Sequence, residues 1–308
     1  MNFSPRFSVI IPTFNCSETI SRAVDSVLKQ SWPAYEIIVV DDGSIDDTRD
    51  VVSKMQGKIS YIFQENSGVS AARNTGAQAA SGDWLAFLDA DDIYYADRLK
   101  WHADMINSQV SFDFLTGDFE YRGPDGALLR RSMESSGIGR KLLEKNKGKV
   151  TLTMEKECFP IFIEEHFGDT HTISIPKSTF CALGGYSTNF QVCEDVHMLI
   201  RLCDRSSRAG VVTKPMAVYN IHNQSLTRSD PIRAQKQTVE ALNSLKGRLR
   251  TKGMERGLDQ SIRRARLDLA YAYLKSESKT KAILAVLPLL IEQPKLLSLK
   301  DLLSIIKG

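Results

Sequence analysis

The chain has 308 residues, of which 42% are hydrophobic and 25% charged, with a formal net charge of +3. That length suits one large domain plus an appendage, and the charge is too small to argue for nucleic acid. Five scattered cysteines (Cys16, Cys158, Cys181, Cys193, Cys203) without a CxxC pair argue against a zinc or disulfide framework and suit a reducing cytoplasm.

Met1 to Arg6 lacks a signal-peptide pattern, and the longest apolar run, Ala282 to Ile291, is too short to span a bilayer. Phe7 to Ile11 reads as a buried strand that stops at Pro12. The loop Pro12-Thr13-Phe14-Asn15 follows, then a helix from about Thr19 to Gln30 with Ser17 as its cap and Ile20, Val24, Val27 and Leu28 on one face. Glu36 to Val40 is a second strand, ending in Asp41-Asp42-Gly43-Ser44. Asp46 to Gln56 reads as helix, Ile59 to Phe63 as a third strand, and Gly68 to Ala80 as a small-residue helix able to pack closely on a sheet. Trp84 to Leu88 is the central strand, and it runs into Asp89-Ala90-Asp91-Asp92. Strand alternating with helix predicts an α/β, doubly wound parallel sheet.

Three of these strands end in polar loops that converge on one edge of the sheet, where such folds bind ligands. Like charges as close as Asp89, Asp91 and Asp92 repel, so a cation is expected among them. Hard oxygen ligands suit Mg2+ or Mn2+, which usually arrive with phosphates. The bland alternative is that Asp91 or Asp92 caps the next helix. No G-x-G-x-x-G follows the first strand and no G-x-x-x-x-G-K-[ST] occurs, so a metal rather than a loop of amides would neutralise phosphates.

The runs V-I-I-P-T-F-N, E-I-I-V-V-D-D-G-S, N-S-G-V-S-A-A-R-N-T-G and F-L-D-A-D-D, in this order and spacing from Phe7 to about Leu99, resemble the GT-A-fold glycosyltransferases of family 2. The resemblance implies a Rossmann-like, mostly parallel sheet flanked by helices. It also implies a nucleotide-sugar donor, UDP-linked by preference, a divalent metal, and inversion at the anomeric carbon. It places Pro12, Thr13, Phe14 and Asn15 in the donor loop, with Phe14 against the nucleobase; otherwise Phe14 is a core aromatic at a strand end. Asp42 matches the carboxylate that accepts from the base, while Asp41 suits holding the loop. Arg73 matches a basic residue near the nucleotide, or else pairs structurally with Asp42 or Asp89. Asp91 matches a metal ligand and Asp89 faces the ribose or the metal's water. Asp92 is read as capping a helix that begins near Tyr95.

Further on, Asp97 to Gln109 reads as helix, Phe112 to Tyr121 as one strand, and Gly123-Pro124-Asp125-Gly126 as a turn. Ser132 to Lys149 reads as a mobile loop or poorly ordered insertion that helps to read the acceptor. Thr172 to Pro176 is a strand, followed by Gly184-Gly185-Tyr186 and by Cys193-Glu194-Asp195 opening a helix from Val196 to Cys203. A helix dipole alone favours such carboxylates. The order G-G-Y, E-D, helix with Arg201 resembles the family's acceptor-side motif, which implies Asp195 as catalytic base and Glu194, Gly185 and Tyr186 on the acceptor side. Val211 to Ile221 reads as a strand leading into Tyr219 to Thr227, similar to the family's Y-x-x-H-x-x-S-x-S run except for Thr227 in place of the last Ser. The resemblance makes His222 a metal ligand beside Asp91, whereas His102, His166, His171 and His197 read as structural. Asn223 to Ser229 could close over the donor as a lid.

Residues 1–230 are thus expected to form the transferase domain, with a donor half of about 1–110 and an acceptor half of about 111–230. A helical extension is expected over 231–308. Val239, Leu242, Leu245 and Leu249 mark one amphipathic helix and Ile262, Leu269, Ala270 and Tyr273 a second; Ala282 to Ile291 and Leu296 to Ile306 are two short apolar ones. Lys246, Arg248, Arg250, Lys252, Arg256, Arg263, Arg264 and Arg266 crowd this region. They read as solvated helix faces, or as contact with an anionic membrane surface on the cytoplasmic side that holds a lipid-linked acceptor.

The expected activity is metal-dependent, inverting transfer of a sugar from a nucleotide sugar to a saccharide or lipid-linked saccharide, in cell-surface polysaccharide or glycoconjugate synthesis. A nucleotidyltransferase making activated sugars would have a similar acidic site but a glycine- and arginine-rich loop after the first strand. A non-catalytic nucleotide-sugar-binding module is the other rival, and the intact set Asp42, Asp91, Asp195 and His222 argues against it.

Overall fold

The computed structural model describes residues 4–146, 148–221 and 229–292. Four apolar strands from the first hundred residues lie side by side and parallel: β1 (Phe7–Thr13), β2 (Glu36–Asp41), β3 (Ile59–Phe63) and β4 (Trp84–Phe87), in the order β3-β2-β1-β4. Every residue of β1 and β4 is buried, as expected where helices cover both faces of a parallel sheet. β1 does not stop at Pro12 but runs on to Thr13. The reason lies in the ladder. The Ile10 carbonyl accepts from Leu88 N–H on the β4 side, and the Thr13 carbonyl accepts from Asp42 N–H on the β2 side. Residues alternate between neighbours, so Pro12 faces the β4 side, beyond its last pair at Ile10 and Phe87. No strand there asks Pro12 for the N–H it lacks.

Helix α1 (Ile20–Leu28) buries Ile20, Ala23, Val24 and Val27 on the sheet and leaves Leu28 exposed. Its cap position is Thr19, not Ser17, whose N–H instead donates to Asp46 Oδ2 at 3.0 Å. Helix α2 (Thr48–Ser53) is shorter than its apolar pattern suggests, because Asp46 takes the Thr48 N–H and hydroxyl into a turn of its own. Helix α3 (Val69–Ala79) packs close to the sheet: a Cβ on Gly76 would sit 2.5 Å from Ile10 Cγ2.

The expected strand over Phe112–Tyr121 is two strands, β6 (Phe114–Gly117) and β7 (Glu120–Arg122). Between them the Asp118 carboxylate accepts from Phe119 N–H, Ser132 Oγ and Met133 N–H, which turns the chain. The expected strand over Val211–Ile221 divides in the same way, into β11 (Arg208–Val212) and β12 (Ala217–Asn220). At both breaks the chain leaves the large sheet for a small one. With β5 (Ile93–Tyr94), β8 (Leu128–Arg131), β9 (Thr151–Glu155) and β10 (Ser174–Pro176), the large sheet is ordered β3-β2-β1-β4-β10-β6-β11-β9 and the small sheet β5-β12-β7-β8. β10 runs antiparallel between β4 and β6 and so joins the two halves of the large sheet.

Ser132 to Lys149 is not a loose loop. It holds helices α5 (Ser132–Ser135) and α6 (Gly137–Asn146), with Met133 and Ile138 in the core. The Ser136 hydroxyl donates to the Glu165 carbonyl, and the Glu165 carboxylate accepts from Ile138 N–H. Tertiary anchors hold a stretch whose own helix propensity is poor.

After α7 (Phe159–Glu164), α8 (Lys177–Ala182) and α9 (Glu194–Arg205) come three C-terminal helices, α10 (Pro231–Asn243), α11 (Lys252–Lys275) and α12 (Lys279–Glu292). α11 lies on α7, where Gly257 meets the Pro160 backbone and Ser261 Oγ donates to the Ile163 carbonyl at 3.0 Å. Leu258, Ile262 and Leu269 share one core with Phe159, Phe162 and Phe114. The last expected helix, Leu296 to Ile306, lies outside the described residues.

Candidate active site

The first rim of the site is built from the ends of β1, β2 and β4. Asn15 sits in the left-handed region at φ 53°, which asparagine tolerates better than most residues. Its N–H donates to Ser44 Oγ at 2.8 Å and its Oδ1 accepts from Ile45 N–H at 2.9 Å, tying the first loop to the second. Pro12 and Thr13 are buried at the strand end, while Phe14 is 47% exposed beside them. It is a surface aromatic, not a core one. Asp41 accepts from Ser44 N–H and Tyr61 Oη. Asp42 accepts from Gln64 Nε2, Ser67 N–H and Gly68 N–H, so it anchors the loop before α3 as firmly as Asp41 anchors its own.

At the end of β4 the three aspartates part company. Asp89 Oδ1 accepts from Arg73 Nη2 at 2.7 Å, and the other terminal nitrogen of Arg73 reaches Glu194 Oε1 at 2.8 Å. Arg73 is 3% exposed and lies over the Tyr186 ring. Its structural partners are therefore Asp89 and Glu194, not Asp42. Asp91 is only partly buried, and its backbone carbonyl accepts from Asn220 Nδ2. Asp92 caps no helix: it is 2% exposed, accepts from Asn220 N–H, and has His171 Nδ1 3.5 Å from its other oxygen. β5 intervenes, and α4 (Arg98–Ile106) starts only after Asp97. Burial, then the charges of Asp91 and Asp89, hold the Asp92 carboxyl well above its ordinary pKa; burial pushes His171 down to about 4. His171 thus belongs to the site's back wall, which sequence reading missed.

His222, the expected second metal ligand, lies outside the described residues, as does the proposed lid up to Arg228. Among the described residues no three His, Cys, Asp or Glu side chains gather into a metal cage. Asp89 and Asp91 nevertheless offer hard oxygens at a partly open edge. That set fits an ion that keeps several waters and takes phosphate oxygens, as Mg2+ and Mn2+ do.

The opposite side of the site begins with a built turn. Gly184 and Gly185 have φ of 75° and 70°, and a Cβ on Gly185 would sit 2.5 Å from Asn74 Oδ1. Asn74 bonds the Tyr186 backbone in both directions, and Arg201 donates to the carbonyls of Leu183 and Gly185. The Tyr186 ring is 3% exposed, packed on Phe87 and Phe180. Gly185 and Tyr186 therefore stand behind the site and support Arg73, rather than facing an acceptor. Cys193, at φ 69°, turns the chain into α9. Glu194 points back to Arg73, and burial together with the Asp195 charge pushes it up to about 7 despite that partner.

Asp195 accepts from Val196 N–H at 2.7 Å and stands against Asp169 in the wall of a small cleft. Burial, then the neighbouring Asp169 charge, pushes Asp195 up to about 7, while Asp169 is raised by burial and by the Asp89 charge. Neighbouring carboxyls resist ionising together. Asp169 escaped sequence reading. Its only local signal is the capping box Asp169 to Thr172, a sign of a turn and not of chemistry. Beside the pair lies a cavity of about 340 Å³ whose wall includes Tyr121, Arg130, Arg140, His166, Asp169 and Arg264.

Residues 8–167 match the family model described as Glycosyl transferase family 2. The chain belongs to that family. This family 2 glycosyltransferase is 41% identical over 242 residues to the putative teichuronic acid biosynthesis glycosyltransferase TuaG of Bacillus subtilis, covering 77% of this chain and 87% of the relative. Over 144 residues it is 38% identical to the Escherichia coli UDP-Glc:alpha-D-GlcNAc-diphosphoundecaprenol beta-1,3-glucosyltransferase WfgD, covering 43% and 56%. The chain spans only 48% and 36% of the length of two further curated relatives. Its fold matches the crystal structure of S. aureus TarS 1-349 in complex with UDP-GlcNAc, with a TM-score of 0.62 at 19% identity over 98% of this chain and 81% of that one. The mixed α/β architecture is that of the GT-A glycosyltransferases.

Proposed function

We propose that this glycosyltransferase moves a sugar from a UDP-sugar to a hydroxyl of a saccharide or lipid-linked saccharide acceptor, with inversion, in cell-surface polysaccharide synthesis. The observation that supports it best is the Arg73 bridge, which fixes the donor-side Asp89 and the acceptor-side Glu194–Asp195 turn in one rigid unit. The names of TuaG and WfgD, and the nucleotide sugar bound by TarS, point in the same direction.

In this reading Phe14 offers its exposed face to the nucleobase, and Asp42 closes that end of the groove. Asp89 faces the ribose. Asp91, with His222, would hold Mg2+ or Mn2+ at the diphosphate. Such an ion supplies Lewis-acid neutralisation of charge that develops on the leaving diphosphate. The acceptor hydroxyl gives its proton to the Asp169–Asp195 pair as its oxygen bonds the anomeric carbon. Asp195 accepts in its ionised form, and a carboxylate held near 7 is a better base at neutral pH than an ordinary one. Attack from this side, opposite the diphosphate, inverts the carbon.

Titrating the full chain with UDP and a panel of UDP-sugars, with and without Mn2+, tests the donor assignment. A metal-dependent rise in melting temperature is expected for UDP ligands, since a ligand of the native state stabilises it by mass action. No rise with any nucleotide would overturn the reading.

We also propose that the chain works at an anionic membrane surface. Among the described residues no helix is long and apolar enough to cross a membrane. Helix α12, however, exposes Ile283, Leu284, Leu287 and Ile291 alongside the exposed Lys279 and Lys281. Apolar side chains flanked by lysines suit the boundary of anionic lipid. Sedimentation with anionic vesicles should carry the protein down at low salt and less so at high salt; Ile283→Asp with Leu287→Asp should abolish it. Unchanged binding by that variant would remove α12 from the contact.

A further inference from the structure

Three arginines from distant parts of the chain meet around the cavity beside Asp169: Arg130 from β8, Arg140 from α6 and Arg264 from α11. Their states differ. Arg264 donates to the Glu164 carbonyl at 3.0 Å and has Glu164 and Glu165 oxygens at 3.8 Å. Arg130 only stacks, 4.1 Å from the centre of the Tyr121 ring, and Arg140 only donates to the Glu134 carbonyl. Neither has a carboxylate partner among the described residues. The carboxylates in the wall are engaged already. Glu165 accepts from Ile138 N–H and faces Arg264, and Asp169 accepts from Thr170 N–H. The cavity therefore presents two guanidinium groups that no carboxylate among the described residues pairs with, in a concave site with room for a monosaccharide-sized group. Guanidinium forks bind carboxylate and phosphate oxygens in preference to neutral hydroxyls.

We infer that this cavity takes an acceptor sugar that carries a negative group, a phosphate or a carboxylate, with Arg130 and Arg140 on that group and the reacting hydroxyl toward Asp169 and Asp195. The inference rests on the transferase reading and adds the acceptor's chemical class. It also makes α11 a part of the site through Arg264, whose contacts with Glu164 and Glu165 hold the cavity's floor.

The test uses the full chain saturated with UDP and Mn2+, so that the donor groove is filled. Calorimetric titrations compare glucose 1-phosphate, glucuronate and the neutral methyl glucoside. At least one anionic sugar should bind tenfold or more tighter than the neutral one, and which arm responds separates phosphate from carboxylate. Arg130→Gln combined with Arg140→Gln, two surface changes, should remove that preference while leaving UDP affinity unchanged. Equal binding of neutral and anionic sugars, or a preference that survives the double substitution, would overturn the inference. UDP affinity measured before any sugar is added reads the donor assignment alone: intact UDP binding without anion preference sinks only the acceptor inference, and absent UDP binding sinks the transferase reading.

Discussion

The proposed donor rim and the proposed acceptor cavity are assembled in opposite ways. The rim comes from three short runs within residues 12–92, each following its own strand, and neighbouring loops lock one another through Asn15, Asp41 and Asp42. The cavity draws Tyr121, Arg130, Arg140, Asp169 and Arg264 from five separate elements. A site built from strand ends survives changes elsewhere in the chain. A site built from distant segments varies whenever one of them does. Arg73 and Asn74, adjacent on α3, are the hinge between the two constructions: one holds Asp89 and Glu194, the other holds the Tyr186 turn.

Breaking that hinge should have the largest effect. Arg73→Met leaves the buried Glu194 and the partly open Asp89 without their cation; a broken pair with both partners buried costs about 3–5 kcal/mol, and the exposure of Asp89 brings the loss here below the sum of two such pairs. A chemical denaturation midpoint far below that of the parent checks this, and Arg73→Met should lose donor binding and transfer together. If only one is lost, the two sides are less coupled than the contacts imply.

Asp195→Asn should separate them. Donor affinity should stay near normal while transfer falls by about a hundredfold or more, the scale of a lost general base. The pH profile sharpens the point. Asp195 is raised to about 7 in the folded chain, so transfer should decline as pH falls through that region and the pair fills with protons. The stability linkage has the opposite direction. A carboxyl raised above its unfolded value favours the native state at low pH, and this contribution is lost as pH rises through about 7. Asp195→Asn should therefore melt higher than the parent above pH 7, by about 2–4 °C for each kcal/mol relieved, and the gain should vanish toward pH 4. Asp169→Asn should move the acid limb of the rate profile downward, because it removes the neighbouring charge. A limb that stays in place would take Asp169 out of the pair.

The smallest effect should come from the rim alone. Phe14→Ala removes an exposed ring and should weaken UDP binding by about 1–3 kcal/mol, as for other lost base stacks, with no change in melting temperature of the free protein. Unchanged UDP affinity would mean that the base lies elsewhere.

The same contrast explains what could be read from the sequence. The four strand-end runs carry their chemistry in contiguous letters, so the sheet, the converging loops and the Asp89–Asp92 cluster were legible. Ser132 to Lys149 was not, because Gly137, Gly139 and its serines look like loop while Glu165, far along the chain, holds the helices in place. Asp92 was misassigned because helix-capping statistics cannot see that a strand 128 residues later supplies its N–H donor. The breaks at Asp118 and after Val212 were invisible for a similar reason: an apolar run tells of burial, not of which sheet buries it. Asp169 had no sequence mark beyond that of a turn, since its importance comes from standing against Asp195.

One consequence concerns how enzymes of this kind can be recombined. Ser261 and Gly257 of α11 seat directly on the α7 backbone, and Leu258 and Ile262 are interior residues of the transferase core. A chimera joined near Pro231, where the α/β pattern ends, would therefore strand an apolar face on each fragment and deprive the cavity of Arg264. A seam near Asp97 keeps α11 with its core, on condition that the recipient matches the β4–β10 pairing and the Asp92–Asn220 bond across the join. From there to the last described helix the chain would be transplanted as one cassette, with the recipient contributing the nucleotide loops and an arginine at the position of Arg73.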